Sequence, residues 1–155
     1  MTDSDKKILD LHEIARKRRV KVYYNHLLPD EESFISSFNG ETYIYLDIQL
    51  TEKDEILHFA HEIGHDFVGI REETTPAWLA ELYETRAMDW AATYLIPQED
   101  FIRVLGNSYI MCEAEAAEEL GVDIETLLRA AEYYKRAGLP SRQCEVIRDW
   151  RQLSC

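Results

Sequence analysis

The sequence predicts an α+β fold: a mostly helical domain with a small antiparallel sheet close to its N-terminus. Two observations lead to this prediction. Runs of β-branched and aromatic residues lie between residues 20 and 46, and the hairpin signal Asn39-Gly40 separates two of them. From residue 51 onward, apolar residues recur at the three- and four-residue spacing of helices.

The first part of the chain supplies one helix and the sheet. Residues 4–19 place apolar side chains along one stripe, with basic residues at the C-terminal end, as an amphipathic helix does. Residues 20–24 alternate like a strand. Residues 33–38 and 42–46, which follow a polar loop at 28–32, are the two predicted hairpin strands.

The rest of the chain is predicted to be helical. Thr51 is a favourable N-cap for a helix that reaches about residue 68. Thr75-Pro76 favours the start of a second long helix, and Pro97 marks its end. Shorter helices are predicted at 98–105, 112–120, 123–137 and 141–155.

Length and composition predict one globular domain. The chain has 155 residues, 46% of them hydrophobic, which is sufficient for a buried core. We expect a single domain over 1–155, with a core at 1–110 and a C-terminal helical subregion at 111–155. No apolar run approaches the ~18 residues of a membrane span, and the N-terminus does not resemble a signal peptide. We therefore expect a cytoplasmic protein that does not bind membranes.

The charge is strongly acidic. The formal net charge is −13, and residues 51–100 carry twelve acidic and three basic residues. Such a surface repels phosphate groups, so direct binding to nucleic acid is not expected. It suits a basic protein partner instead. The sequence carries no signal of an oligomeric state.

The three cysteines are Cys112, Cys144 and Cys155. Their number is odd, and they lack C-x-x-C spacing. Both features argue against a disulfide framework and against a cysteine-rich zinc site, and they suit a reducing compartment.

The most informative motif is His61-Glu62-x-x-His65. Residues four apart lie on one face of a helix, so the two imidazoles can bind one metal ion. Glu62 lies one step round the helix, close enough to act on a water molecule without being a ligand. A catalytic zinc site needs a third protein ligand and an open position.

The next helix offers two carboxylates as the third ligand. Glu84 lies nineteen residues beyond His65, and Glu81 lies one turn before Glu84. A carboxylate on a following helix is the expected third ligand of such a site in the gluzincin arrangement, and both residues meet this condition. Glu81 is either a rival ligand to Glu84 or a group that supports the ligands.

Several segments resemble the ImmA/IrrE family of metallopeptidases, in the right order over residues 8–137. His61-Glu62-Ile-Gly64-His65 resembles its "H-E-x-G-H" motif, and residues 84–97, ETRAMDWAATYLIP, resemble its "E-x-x-A-N-x-F-A-A-x-L-L-M-P" segment. Residues 97–101, PQEDF, resemble its "P-E-E-x-F" stretch. Residues 117–129, AEELGVDIETLLR, resemble its "A-x-x-F-G-V-S-x-x-x-V-x-x-R" stretch.

The resemblance implies a gluzincin-like fold, with His61, His65 and Glu84 as zinc ligands and Glu62 as the catalytic base. Manganese is the alternative metal. One departure stands out, because Met88 occupies the position of the family's asparagine. A thioether cannot give the hydrogen bonds of an amide, so support for the ligands must come from another group.

The chemistry that these residues permit is metal-assisted hydrolysis of an amide bond, with Glu62 as the general base. The oxyanion would need a further donor, often a tyrosine or a histidine. His58, one turn before His61, is expected either to line the cleft or support the ligands, or simply to be exposed. His12 and His26 are expected to be ordinary surface or core residues.

The segment 112–137 resembles a helix-turn-helix, with Gly121 at the turn. Its many acidic residues argue against contact with a phosphate backbone. We interpret it as a packing unit or a docking surface for a protein substrate.

Three functions compete at this stage. The resemblance implies a zinc endopeptidase that cleaves a helix-turn-helix repressor of a phage, mobile element or stress regulon. The alternative is a metal-stabilised antirepressor that binds without cutting, to which Met88 points. A general peptidase that degrades small peptides is the third.

Overall fold

The computed structural model describes residues 1–139 and residue 146. The order of elements is α1 (Asp3–Lys17), β1 (Val20–Asn25), β2 (Ser33–Phe38), β3 (Glu41–Asp47), α2 (Glu52–Val68), α3 (Ala77–Leu95), α4 (Gln98–Leu105), α5 (Glu113–Leu120) and α6 (Ile124–Arg136). This α+β arrangement confirms the predicted fold class. The helix predicted at 141–155 falls, apart from residue 146, outside the described residues.

The sheet has the strand order β1-β3-β2. β2 and β3 form the predicted antiparallel hairpin, and Asn39 and Gly40 at its turn both adopt positive φ angles. β1, however, pairs with β3 in parallel, so the sheet is mixed rather than wholly antiparallel. The alternating pattern of β1 predicts a strand but carries no information about its direction relative to β3.

One face of the sheet packs against α1 and α2. Ile44 and Leu46 of β3 are fully buried on this face, with Leu11 of α1 and Phe59 of α2. Since paired residues share a face, Ser33, which pairs with Leu46, also faces α2. The register of the hairpin therefore places the first residue of β2 beside the helix that carries the histidine motif.

A hydrogen-bonded chain joins the first two helices to β1. Nε2 of His12 lies 2.9 Å from the hydroxyl of Tyr24, which donates to Glu55 of α2 at 2.7 Å. The His12 ring also meets Phe59 edge-on, with 4.8 Å between centroids. His12 therefore contacts Tyr24 and Phe59, and its sequence context indicated neither contact.

α2 begins and ends on recognisable signals. The Thr51 hydroxyl accepts from the Asp54 N–H at 3.2 Å, so the predicted N-cap is confirmed. At the other end, Arg18 pairs with the Asp66 carboxylate and lies 3.8 Å from the centre of the Phe67 ring. Phe67 stacks on Trp90 of α3, and these contacts hold the C-terminal end of α2 in place.

α2 and α3 approach each other very closely at Gly64. A Cβ atom built on Gly64 would lie 2.6 Å from the carbonyl oxygen of Ala87, closer than real contacts allow. Gly64 and Ala87 are both buried. The absence of a side chain at Gly64 therefore sets the spacing of the two helices.

The chain forms two compact units, Met1–Ala91 and a second that begins at Ala92. In the second, α4, α5 and α6 bury Phe101, Val104 and Leu127. Gly121 ends α5 in the left-handed conformation, at the turn that the helix-turn-helix resemblance predicts, and Asp123 caps α6. The single domain with a boundary near residue 110 stays a prediction.

Cys112 is buried and disulfide-bonded. This differs from our expectation of reduced cysteines. An odd number and the lack of C-x-x-C spacing do not prevent two distant cysteines from pairing, because proximity in the fold decides. In the part of the chain that is described, no helix has both the length and the apolar character needed to cross a bilayer.

The pKa of His12 predicts a pH-dependent stability. Burial lowers it below the ordinary value of 6.5, although Glu55 opposes the shift. As the pH falls through 6.5, the unfolded chain therefore binds protons more readily than the folded one, and the free energy of unfolding falls. Denaturant titrations of metal-free protein between pH 7.5 and 5 should show a weaker decline for His12→Gln. The control His26→Gln, which alters an exposed histidine, should decline like wild type. Parallel curves for all three proteins would contradict the prediction.

Gly64→Ala tests the close approach of α2 and α3. In an ordinary helix interior, glycine to alanine stabilises by about 1 kcal/mol. Here the added methyl group meets the Ala87 carbonyl, and we expect a destabilisation of roughly 1–3 kcal/mol, as in overpacked cores. Thermal and denaturant unfolding of the metal-free variant give the sign. A stabilised variant would show that the helix spacing does not depend on Gly64.

Candidate metal centre

His61 and His65 point from one face of α2 towards a common point. Their Nε2 atoms are 3.1 Å apart, and the ring centroids are 4.9 Å apart. His65 is the more enclosed, with 11% of its side chain exposed against 25% for His61. The spacing of four residues in the motif therefore produces the convergence that the sequence predicts.

α3 brings the Glu84 carboxylate to the same point. Its Oε1 lies 3.0 Å from Nε2 of His61, and its Oε2 lies 2.9 Å from Nε2 of His65. Among the described residues, these three form the group that could hold a metal ion, with ligand atoms within 4.8 Å of one another. Glu81 is exposed and is not in this group.

The geometry of this group fits a divalent metal. Two ligands at about 2.0–2.1 Å from a tetrahedral zinc ion are about 3.3 Å apart. The three observed separations, 2.9, 3.0 and 3.1 Å, come within a few tenths of an ångström of that value. Imidazole nitrogens and carboxylate oxygens are also among the usual ligands of zinc.

His65 is oriented by the backbone at the end of α2. Its Nδ1 lies 3.0 Å from the carbonyl oxygen of Gly69, to which the Nδ1–H donates. That hydrogen bond leaves the Nε2 lone pair directed at the metal position, as is usual for a metal-binding histidine. The support that Met88 cannot give therefore comes, for this ligand, from a main-chain carbonyl.

Gly69 can hold this position because it lacks a side chain. Its φ angle is +146°, a region that favours glycine. A Cβ atom there would lie 2.4 Å from the ring of Tyr83, the neighbour of Glu84. Gly69 thus orients one histidine while it allows α3 to approach.

Glu62 is buried beside the three residues but does not belong to their group. Only 7% of the residue is exposed. Its Oε1 accepts a hydrogen bond from the Ser33 hydroxyl at 2.6 Å. Ser33 is a site residue that sequence reasoning missed. A serine at the start of a strand gives no local signal, because its contact depends on how β2 packs against α2.

His58 lies at the edge of the same site. Its Nδ1 is 3.2 Å from the Ser33 hydroxyl, and its Nε2 contacts the Glu32 carboxylate. His58 is not in the metal-ligating group. It occupies the cleft position that was one of the alternatives for this residue.

These groups line an open cleft of about 500 Å³. Its walls are the loop before β2, the start of that strand, and the facing turns of α2. The residues that line it are Asp30, Glu31, Glu32, Ser33, Phe34, Ile35, His58, His61, Glu62, His65, Arg71 and Glu84. Acidic side chains outnumber basic ones, so the cleft has a negative potential.

The cleft lining narrows the choice of an oxyanion donor. The sequence indicates a tyrosine or a histidine, but within the described chain no tyrosine lines the cleft. Arg71 lines it and carries a guanidinium group that can donate, whereas both ring nitrogens of His58 already contact other groups, Ser33 and Glu32. Arg71 was not singled out from sequence, where it reads as part of a polar turn.

Metal content tests the choice between Glu84 and Glu81. We expect purified wild type to bind one zinc ion per chain, and Glu84→Ala to bind it at least tenfold more weakly, because one ligand is lost. Glu81→Ala, which removes an exposed carboxylate one turn away, is the matched control and should bind zinc like wild type. Competition with a chromophoric chelator gives both affinities. The reverse result would make Glu81 the ligand.

The comparison with known proteins agrees with this geometry. The family model described as Peptidase M78, IrrE N-terminal-like domain, matches residues 15–132. This range includes β2, α2 and α3, which carry the residues of the site. No curated protein matches the chain. A match over most of the chain establishes the family, and the family implies a divalent metal. The chain therefore belongs to the M78 family of metallopeptidases, as the resemblance to ImmA/IrrE proteins predicts.

Proposed function

We propose that the protein is a zinc-dependent endopeptidase that cleaves a helix-turn-helix transcriptional repressor and so derepresses phage, mobile-element or stress genes. The observation that carries the proposal is Glu62. A protein that only binds metal has no need of a buried carboxylate beside the ligand group, whereas a hydrolase needs a general base there.

In the proposed reaction, each residue has a distinct task. His61, His65 and Glu84 hold the metal, which when bound lowers the pKa of water towards 7 and polarises a carbonyl group. Glu62 accepts the proton of the attacking water and returns it to the nitrogen of the leaving amine. Arg71, which also lines the cleft, would donate hydrogen bonds to the oxygen of the scissile carbonyl.

The edge of the sheet supports an extended substrate. β2 pairs with β3 on one side, and no described strand pairs with its other side. Ser33, Phe34 and Ile35 at its start line the cleft. A substrate strand that adds to this edge gains main-chain hydrogen bonds and lies across the metal position.

The charge of the cleft supports a basic substrate. Asp30, Glu31 and Glu32 follow one another along one wall, and the whole chain has a net charge of −13. Repressors that bind DNA carry basic surfaces, so an acidic protease attracts them electrostatically. Direct binding to nucleic acid is not part of the proposal, and a repressor substrate would place the protein in the cytoplasm.

A second candidate is a metal-stabilised antirepressor that does not cut its partner. The observation in its favour is Met88, which replaces the asparagine of the family segment. The Gly69 carbonyl partly replaces the missing asparagine, because it orients His65 without an amide side chain. A general peptidase is the third candidate, and it would cut a panel of unfolded peptides without preference.

Glu62→Gln separates the first two candidates. The substitution keeps the shape of the side chain and removes the base, so we expect unchanged zinc and repressor binding with cleavage reduced at least 100-fold. The assay incubates each protein with the repressor encoded nearest its gene and follows the fragments by mass spectrometry. Glu81→Gln makes the same charge change on an exposed surface and should cleave normally.

The other outcomes are equally informative. Tight repressor binding by both proteins, with zinc present and no cleavage by wild type, would support the antirepressor. Zinc-reconstituted and manganese-reconstituted proteins, compared in the same assay, identify the metal that sustains activity.

A further inference from the structure

We propose that Ser33 is a positioning residue that holds the Glu62 carboxylate in its working orientation, and that His58 and Glu32 in turn hold Ser33. The inference rests on the proposed peptidase function, which it deepens. It assigns a role to the first residue of β2 that neither the family motifs nor the metal group contains.

The contact between Ser33 and Glu62 is short and specific. The Ser33 hydroxyl donates to Oε1 at 2.6 Å, the length of a hydrogen bond from a hydroxyl to an ionised carboxylate. With Oε1 occupied, Oε2 is the oxygen left to accept a proton. The last torsion of a glutamate side chain is broad, so one such bond at one oxygen removes most of its rotational freedom.

The direction of the hydrogen bonds extends the arrangement to His58. A serine hydroxyl has one proton, and here it goes to Glu62, so the Ser33 oxygen accepts from its other neighbour. That neighbour is Nδ1 of His58 at 3.2 Å, which must carry the proton of this bond. Nε2 of His58 contacts the Glu32 carboxylate, which can only accept, so this contact is a hydrogen bond when Nε2 carries a proton as well. The result is a chain from Glu32 through His58 and Ser33 to Glu62.

The fold fixes the relative positions of Ser33, His58 and Glu62. Ser33 pairs with Leu46 in the hairpin, and that register turns its side chain towards α2. His58 and Glu62 are four residues apart on α2, so they lie on the same face of the helix. The Ser33 hydroxyl sits between them, and a shift in the register of β2 by one residue would remove it from this position.

Two interpretations of the contact between Ser33 and Glu62 predict different experimental results. A buried carboxylate needs a partner, so Ser33 could serve folding alone, and its loss would then lower stability without a specific effect on turnover. As a positioning residue, Ser33 instead affects the rate of the chemical step, since small displacements of a base are costly. Substrate binding and metal binding are then unaffected.

The test compares Ser33→Ala, Ser33→Thr and Ser37→Ala. Ser37 lies on the same strand and the same face as Ser33 but is exposed, which makes it the matched control. We expect Ser33→Ala to lower kcat for repressor cleavage roughly 10- to 100-fold with KM and zinc affinity unchanged. Ser33→Thr keeps the hydroxyl and should recover most of kcat, and Ser37→Ala should match wild type.

Three results would overturn the proposal. They are a wild-type kcat for Ser33→Ala, an equal loss of kcat in Ser33→Thr, and a loss of zinc by Ser33→Ala that accounts for its lower activity. Circular dichroism and melting curves of each variant show whether a loss reflects unfolding. If Ser33→Ala does not fold, a loss of kcat in folded Ser33→Thr still overturns the proposal, because that variant retains the hydroxyl.

A second measurement does not depend on catalysis. Acetohydroxamic acid is a zinc chelator, and on binding it is expected to transfer its hydroxyl proton to the Glu62 carboxylate. We expect Ser33→Ala and Glu62→Gln to bind it roughly threefold to tenfold more weakly than wild type, the effect of one impaired hydrogen bond. Equal binding by wild type and Ser33→Ala would refute the role of Ser33. If wild type binds zinc and acetohydroxamate but cuts no repressor, the proposed function fails, and this comparison still decides the role of Ser33.

Discussion

The site depends on the contact between Gly64 and Ala87. A metal group that draws two ligands from α2 and one from α3 can form only if the two backbones lie close enough for a glutamate to span the gap. The missing side chain at Gly64 permits that approach, and the Cβ position 2.6 Å from the Ala87 carbonyl measures how little room is left. Glu84 lies one turn before Ala87, so the same contact sets the distance of its carboxylate from His61 and His65.

Around this contact the protein arranges its polar groups in advance. The Gly69 carbonyl orients His65, and the Ser33 hydroxyl engages Glu62. Both supports come from parts of the chain outside the histidine motif, one from the turn after α2 and one from the sheet. Preorganisation of this kind lowers the cost of arranging ligands and base when a metal and a substrate bind.

Local patterns explain which features were predictable from sequence. The spacing of His61, Glu62 and His65 fixes their faces on any helix, and Thr51 or Asn39-Gly40 act through their immediate neighbours. The choice between Glu84 and Glu81 depends on how α3 packs against α2, which the spacing of residues within one helix does not show. The family resemblance gave the preference for Glu84. Contacts across the fold were not predictable. Examples are the parallel pairing of β1, the partners of His12 and the contact of the Ser33 hydroxyl, each of which depends on segments far apart in the chain.

The unequal exposure of the three candidate ligands has a consequence for metal exchange. His65 is almost enclosed, whereas half of the Glu84 side chain is open to solvent. If these three residues hold a metal ion, a competing chelator would reach the carboxylate side first, and release would begin with rotation of Glu84 away from the two imidazoles. Loading would follow the reverse order, with the histidines binding first and the carboxylate last. The rotamer of one glutamate would then govern how fast the protein responds to the supply of free metal around it.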